Sequence, residues 1–186
     1  MSKQLCPYWV GFWLANPLRR FFQDPVKILS PYVKTGMTVL DIGPAMGFFS
    51  LPLAKMVGPD GNVVCVDVQD KMLRSLERRA KAAQLADRII ARHCKPYSLC
   101  IDEFAGMIDF VLAFAVVHEI PDVSNFFAEI YKTLKPGAVC LVAEPRGHVN
   151  VGEFAETLSL AGKNGLIKTG EPAITWSRTA LLEKVS

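Results

Sequence analysis

The sequence predicts an α/β protein, a mostly parallel sheet with helices on both of its faces. Three observations lead there. From Val26 onward, short β-rich runs alternate with longer helical stretches, the pattern of right-handed βαβ crossovers that return each strand parallel to the one before. MIDFVLAFAVV (107–117) is a nearly continuous apolar run, as expected of a central strand covered on both sides. The chain has 186 residues, 51% hydrophobic and 21% charged, which fits one domain with ample apolar material for a core. No internal repeat, low-complexity tract or linker divides it. Residues 1–186 are therefore read as a single domain, with 26–184 as its core and 1–25 as an aromatic-rich extension outside the alternating pattern.

The elements follow in order. Lys34-Thr35-Gly36 is turn chemistry and announces a first strand, MTVLDI (37–42). A helix over 48–57 should end at Gly58-Pro59-Asp60-Gly61-Asn62, and NVVCVDV (62–68) is the second strand. KMLRSLERRAKAAQL (71–85) places Met72, Leu76, Ala80 and Ala83 on one stripe, the spacing of an amphipathic helix. RIIARH (88–93) is a third strand, followed by a loop carrying Cys94, Pro96 and Cys100, and then by the apolar fourth strand. Asp122 can cap a helix through VSNFFAEIYKTL, which Lys135-Pro136-Gly137 terminates. AVCLVAEP (138–145) is a fifth strand, and a helix around 151–162 precedes two β-like stretches, 166–174 and 177–185. Their short connection makes an antiparallel hairpin at one side of the sheet.

Composition narrows the partners. The net charge is +3, but the densest basic group, Lys71, Arg74, Arg78, Arg79 and Lys81, lies along one helix and reads as a solvated face rather than a nucleic-acid footprint. Five cysteines (Cys6, Cys65, Cys94, Cys100, Cys140) form no CxxC pair and have no closely spaced histidine. That pattern opposes a disulfide framework and a structural zinc site, and suits the reducing cytoplasm. LCPYWVGFWLANPL (5–18) is apolar, but Pro7 and Pro17 interrupt it and Arg19 and Arg20 follow. It is too short to span a bilayer and lacks a signal-peptide cleavage site, although peripheral contact with a membrane surface stays open.

The informative stretch is VLDIGPAMGFFS (39–50). It lacks the GxxxxGK of a phosphate-binding loop and the GxGxxG of a dinucleotide fold. Its spacing is GxxxG, and Asp41 sits two residues before Gly43, where a negative charge repels pyrophosphate and suits a cation. Asp67, at the end of the second strand, is placed to accept both hydroxyls of a ribose. The implied ligand has a ribose, a positive group and no phosphate, a description that S-adenosylmethionine meets.

Together, the DxGxxxG loop, GNVVCVDVQDKML and MIDFVLAFAVVHEIPDVSNFFAEIYKTLKPGAVCLVAEP resemble the class I S-adenosylmethionine-dependent methyltransferases. They are close to the small ubiquinone/menaquinone-biosynthesis and arsenite-methyltransferase types, over roughly residues 26–184. The resemblance implies a Rossmann-like three-layer sandwich with strand order 3-2-1-4-5-7-6 and the seventh strand antiparallel. It implies that Asp41, Gly43, Pro44, Ala45 and Gly47 surround the methionine end of the cofactor, that Asp67 binds the ribose, and that Val68 and Met72 lie beside the adenosine. Cys94 and Lys95 stand where the family often has an acid on the adenine amine, and Ala113 and Phe114 fall near the methyl group.

Methyl transfer from a sulfonium is a direct displacement that asks for alignment and exclusion of water, and for a base only when the acceptor is a neutral hydroxyl or acidic carbon. His118, in HEIPD, is the candidate base; Glu144 and His148 border the expected mouth. Cys6, Cys94 and Cys100 raise a metalloid acceptor, against unrelated loop cysteines. Trp9, Phe12, Trp13, Phe21 and Phe22 form either a lid over the acceptor or packing against the sheet or a dimer partner. The expectation is a methyltransferase for a small or lipophilic acceptor, monomeric or homodimeric, with no metal. The rivals are a metalloid methyltransferase, a nicotinamide-dependent oxidoreductase and a non-catalytic S-adenosylmethionine-binding module.

Overall fold

A computed structural model describes residues 22–185. Asp24 caps the short helix α1 (Pro25–Leu29), accepting a hydrogen bond from the Val26 N–H at 2.9 Å, with Pro25 in the first turn. There follow β1 (Thr38–Ile42), α2 (Ser50–Met56), β2 (Asn62–Asp67), α3 (Asp70–Ala82), β3 (Ile89–His93), β4 (Ile108–Phe114), α4 (Val123–Thr133), β5 (Leu134–Pro145), α5 (Val151–Lys163), β6 (Leu166–Gly170) and β7 (Ser177–Lys184). They build one seven-stranded sheet of order β3-β2-β1-β4-β5-β7-β6. All neighbours from β3 to β5 are parallel, and β7 runs antiparallel to both β5 and β6. The expected fold class and strand order are therefore present.

Strand alternation sorts the core into two layers. Leu40, Ile42, Val64, Val66, Val111 and Ala113 face α4 and α5, where Phe126, Phe127, Ile130 and Phe154 meet them. Val39, Val63, Cys65, Phe110 and Leu112 face α1, α2 and α3, through Leu29, Leu53, Ala54 and Leu76. Cys65 and Cys140 are buried and unbridged, small apolar fillers of these layers.

The structure corrects several element boundaries, each for a local reason. The expected helix 71–85 stops at Ala82 because Gln84 takes φ +57° and the Leu85 N–H turns back to the Ala80 carbonyl at 2.9 Å. Ala83 is consequently exposed, and Leu73 and Leu85 complete the buried stripe. The apolar run 107–117 stays in the sheet only to Phe114, since Ala115 takes φ +56° and leads into a one-turn helix at Val117–Glu119. β5 begins at Leu134, ahead of Pro136, and the extra residues are absorbed by a register shift against Ile108/Phe110. The stretch 166–174 is strand only to Gly170. Asp122 caps α4 as expected, accepting from the Asn125 N–H at 2.9 Å.

One turn tests how tightly the first βαβ unit is closed. A Cβ on Gly61 falls 2.6 Å from the Val57 carbonyl oxygen and 2.7 Å from that of Met37, both backbone atoms held by neighbouring elements. Gly137, at φ +73°, has nothing within 4 Å of its Cβ position. Gly61→Ala is expected to cost about 1–3 kcal/mol by overpacking, and Gly137→Ala only about 1 kcal/mol of backbone strain. Urea unfolding of the two variants ranks them, and equal midpoints contradict the account.

Candidate functional site

A cavity of ≈ 450 Å³ opens at the carboxyl ends of β1, β2 and β4. This volume lies within the range of about 300–1,000 Å³ usual for small-molecule sites, and in open α/β sheets ligands sit at this end. Its floor is the loop after β1. Gly43, at φ +70°, has Val116 where a side chain would go, with Cγ2 2.9 Å from a Cβ position, and its N–H donates to the Val66 carbonyl at 2.9 Å. Ala45, at φ +48°, keeps the loop turning, and Arg79 of α3 donates to the Met46 carbonyl at 2.5 Å. One member of the basic helix face thus clamps the loop instead of facing solvent.

Of the residues singled out in the sequence, Gly43, Pro44, Ala45, Asp67, Val68, Met72, Cys94, Lys95 and Phe114 meet on the cavity wall. Asp41, Gly47, Ala113 and His118 do not line it. Asp41 follows the strand alternation with Val39 onto the α2 side, where the Ser50 hydroxyl donates to its Oδ2 at 2.6 Å, and it is only 2% exposed. Gly47 lies against Leu76 of α3. Ala113 is wholly buried in the sheet.

His118 is turned toward β5. Its Nδ1 lies 2.5 Å from Oε2 of Glu144. Oε1 of Glu144 accepts from the Val116 and Val117 N–H groups at 3.1 and 2.9 Å, while Oε2 also takes the His118 N–H at 3.4 Å. Glu144 is 1% exposed, a buried carboxylate that fixes the turn after β4 and so seats Val116 against Gly43. His148 stacks edge-on against His118, with ring centroids 5.5 Å apart. Neither Glu144 nor His148 lines the cavity.

Sequence reasoning missed part of the wall. Glu119, Asp122, Asn125 and Glu129 reach it from the turn after β4 and from α4, and Phe48 and Phe49 from the end of the glycine loop. HEIPD and the α4 segment are legible as a turn and a helix, but which of their side chains point inward depends on the path after Ala115. The charged residues on the wall are Asp67, Glu119, Asp122, Glu129 and Lys95, four acids and one base. The wall also carries aromatic rings, with Phe49 4.5 Å from Phe114 and edge-on to Phe48 at 5.0 Å.

Burial raises both strand-end acids. Asp41 is pushed up to about 7 by burial, which the Ser50 hydroxyl opposes and the charge of Asp67 reinforces. Asp67 is pushed up to about 6 by burial, against the N–H of Gln69, which donates to Oδ1 at 2.8 Å. Glu119 raises it further, and His93 and the Ala45 N–H lower it. Burial pushes the Cys94 thiol up to about 12, so it is neutral at physiological pH. Cys100 is half-buried, and Cys6 lies outside the described residues. Among the described residues no group of three His, Cys, Asp or Glu could hold a metal ion. Trp9, Phe12, Trp13 and Phe21 also fall outside the description; Phe22 is exposed and rests on Trp176, with centroids 4.9 Å apart. No described helix is long and apolar enough to cross a membrane.

Residues 33–177 match the family described as a methyltransferase domain. The chain belongs to that family. The methyltransferase domain is 31% identical over 104 residues to the demethylmenaquinone methyltransferase of Lactobacillus johnsonii, covering 56% of this chain and 42% of that protein. It is 30% identical over 109 residues to the arsenite methyltransferase of Halobacterium salinarum, covering 59% and 27%. It thus spans less than half the length of these relatives. A SAM dependent methyltransferase from Aquifex aeolicus superposes with TM-score 0.85 at 23% identity, over 97% of this chain and all of that one. The family resemblance read from the sequence motifs is borne out.

Two outcomes follow from the acids. The ordinary value for both strand-end carboxyls is 3.8, and the folded values are about 7 and about 6. The folded state therefore favours the protonated forms, and their contribution to stability is complete below about pH 4 and lost as pH rises through 6 to 7. Asp41→Asn is expected to flatten that decline and to raise stability at pH 8, on the order of a few kcal/mol, in melting curves recorded from pH 4 to 8; an unchanged profile contradicts it. Glu144→Gln, which leaves one accepting oxygen for four donors, is expected to cost about 1–3 kcal/mol in urea unfolding.

Proposed function

We propose that the protein is an S-adenosylmethionine-dependent methyltransferase acting on a small or lipophilic acceptor. The carrying observation is the charge of the cavity wall, four carboxylates, the ribose-placed Asp67 among them, against one lysine. Such a wall repels a pyrophosphate and favours a cationic ligand. The nicotinamide rival loses on that ground. Asp41 is buried against Ser50, so the acids on the wall, not Asp41, oppose phosphate.

The residues fit the cofactor by their donors and acceptors. Asp67, held by the Gln69 N–H, has lone pairs left for two ribose hydroxyls. Gly43, Pro44 and Ala45 bring backbone to the cavity surface for the amino-acid end, and Val68 and Met72 offer apolar surface beside the nucleoside. When bound, S-adenosylmethionine supplies a methyl group already activated on a sulfonium. The chain's part is to orient, to exclude water and to hold the acceptor in line. Phe48, Phe49 and Phe114, in contact with one another, give the cavity an apolar patch suited to a lipophilic acceptor. His118, the candidate base, stands behind Glu119, its Nε2 3.9 Å from Oε1.

A metalloid acceptor is the second reading, favoured by Cys94 on the wall and by one relative's activity. The neutral, buried thiol weighs against it. A non-catalytic binding module remains the third.

Calorimetry with S-adenosylmethionine and with NAD is expected to show binding of the first alone; binding of neither ends the cofactor assignment. Asp67→Ala is expected to weaken S-adenosylmethionine by about 10- to 100-fold, the worth of hydrogen bonds to a charged group. Because Asp67 accepts hydroxyls best when ionised, wild-type affinity is expected to rise with pH through about 6 and then level off. A labelled-methyl screen over phenols, quinol precursors, thiols and arsenite separates the acceptor classes, and arsenite turnover lost in Cys94→Ala would move the assignment to metalloids.

A further inference from the structure

Trp176 combines two features that folding by itself disfavours. It takes φ +58°, in the left-handed region that a bulky side chain seldom adopts, and it is 64% exposed. Strain of this kind persists only where the surroundings impose it, and it gathers at functional positions. Here the surroundings are firm. The Trp176 carbonyl accepts from the Arg146 N–H at 2.9 Å, and the Ser177 N–H donates back to the Ile174 carbonyl at 3.1 Å. The Gln23 side-chain amide donates to the Thr175 carbonyl at 3.1 Å. Phe22, itself exposed, lies against the displayed indole with ring centroids 4.9 Å apart. The turn is thus fixed, and it presents a pair of aromatic rings to the outside.

The pair sits on the edge of the sheet where the cavity opens. Ser177, next in the chain, pairs with Pro145, the last residue of β5, so Trp176 lies beyond the carboxyl end of a strand parallel to β4. Ile174, two residues before it, is buried in the same apolar cluster as Phe48, Phe49 and Phe114 of the cavity wall. Phe22 and Trp176 do not themselves line the cavity. The one acid of the turn, Glu171, is paired with Lys168 at 2.8 Å. The described chain begins here, at Phe22, and the composition of the residues before it says what the edge suits. Residues 1–21 hold Tyr8, Trp9, Phe12, Trp13 and Phe21. They also hold Lys3, Arg19 and Arg20 and no acid, which accounts for the whole net charge of +3. Two of the chain's three tryptophans are among them, and the third is Trp176. Tryptophan settles at the boundary of headgroups and acyl chains, and adjoining Lys and Arg add attraction to anionic headgroups. A second copy of this chain would instead bring the same positive charges to the contact and be repelled.

We propose that Phe22 and Trp176, with the aromatic and basic residues 1–21 that lead into them, form a surface that seats the protein on an anionic lipid bilayer. The contact is peripheral: rings enter the headgroup boundary and Lys3, Arg19 and Arg20 meet lipid phosphates. It sets the sheet edge that carries the cavity toward the membrane, where a lipophilic acceptor is dissolved. The surface is independent of the methyl-donor reading, since vesicle binding is measured without cofactor, and its failure leaves that reading untouched.

The test is flotation of the full chain with vesicles of phosphatidylcholine alone and of phosphatidylcholine and phosphatidylglycerol in equal parts. Wild type is expected to float with the mixed vesicles, less so at high salt, and to bind the neutral ones at least about tenfold more weakly. Trp176→Gly removes the ring while supplying the residue that φ +58° favours. It is expected to bind vesicles about tenfold more weakly and to unfold in urea no earlier than wild type, so that lost binding is not lost folding. Arg19→Glu with Arg20→Glu, outside the described residues, is expected to abolish the preference for the anionic vesicles. Wild type that floats with neither vesicle overturns the proposal, as does binding that both variants leave unchanged. Equal binding to the two vesicle types removes the anionic preference and overturns it in that form. A dimer in sedimentation that Trp176→Gly dissolves, without vesicle binding, assigns the surface to a second copy and overturns it as well.

Discussion

The contact on which the site depends is the approach of Gly43 to Val116. A backbone atom without a side chain lies against a branched one, with less than van der Waals room for a Cβ between them. The first glycine can therefore sit only where the turn after β4 lets it, and that turn is fixed from the next strand by Glu144. β2 holds the same glycine through the Val66 carbonyl, and α3 holds the loop's far side through Arg79 and Leu76. The turn after β4, β2 and α3 converge on one short loop, and β5 fixes that turn. The cavity floor is rigid because no one of these contacts can relax without moving another element.

The division between electrostatics and packing in this site is sharp. The acid in the first strand carries no surface of the cavity; it is a nearly buried group whose ionisation is suppressed and whose partner is a helix-start serine. The acid in the second strand is on the wall and takes its geometry from the backbone N–H two residues on. Two similar carboxylates at the ends of adjacent strands thus do different work, because alternation turns one toward the helix layer and the other lies where its strand ends.

Much of the fold was legible because it rests on local signals. Asp122 before an apolar helix, Gly58 to Asn62 as a turn and the continuous apolar run of β4 each follow from one stretch of chain. Two of the boundaries that shifted were set by residues in an unusual left-handed conformation, Gln84 and Ala115, whose types carry no such signal. The site was half legible for the same reason. Gly43, Asp67 and Met72 lie within two residues of strand or helix ends, so their positions follow from the strand register. Glu119 and Glu129 were within recognised segments, but their direction depends on how the chain bends at Ala115 and on what α4 meets across the cavity. Ser50 and Arg79 act by contacts nine and 33 residues away in sequence, which no local pattern contains.

The position of β7 has a consequence for how such a chain is made. It is the last strand of the sheet in chain order, yet it lies between β5 and β6 and pairs with β5 along seven residues, Glu144 opposite Arg178 among them. On a ribosome the glycine loop, β4 and β5 all emerge before the strand that flanks β5. Until residues 177–184 follow, β5 presents an open edge, and the carboxylate that fixes the turn after β4 hangs from a strand supported on one side only. Without that strand the cavity rests on a β5 supported from one side, and its open edge is a surface on which a neighbouring chain can pair.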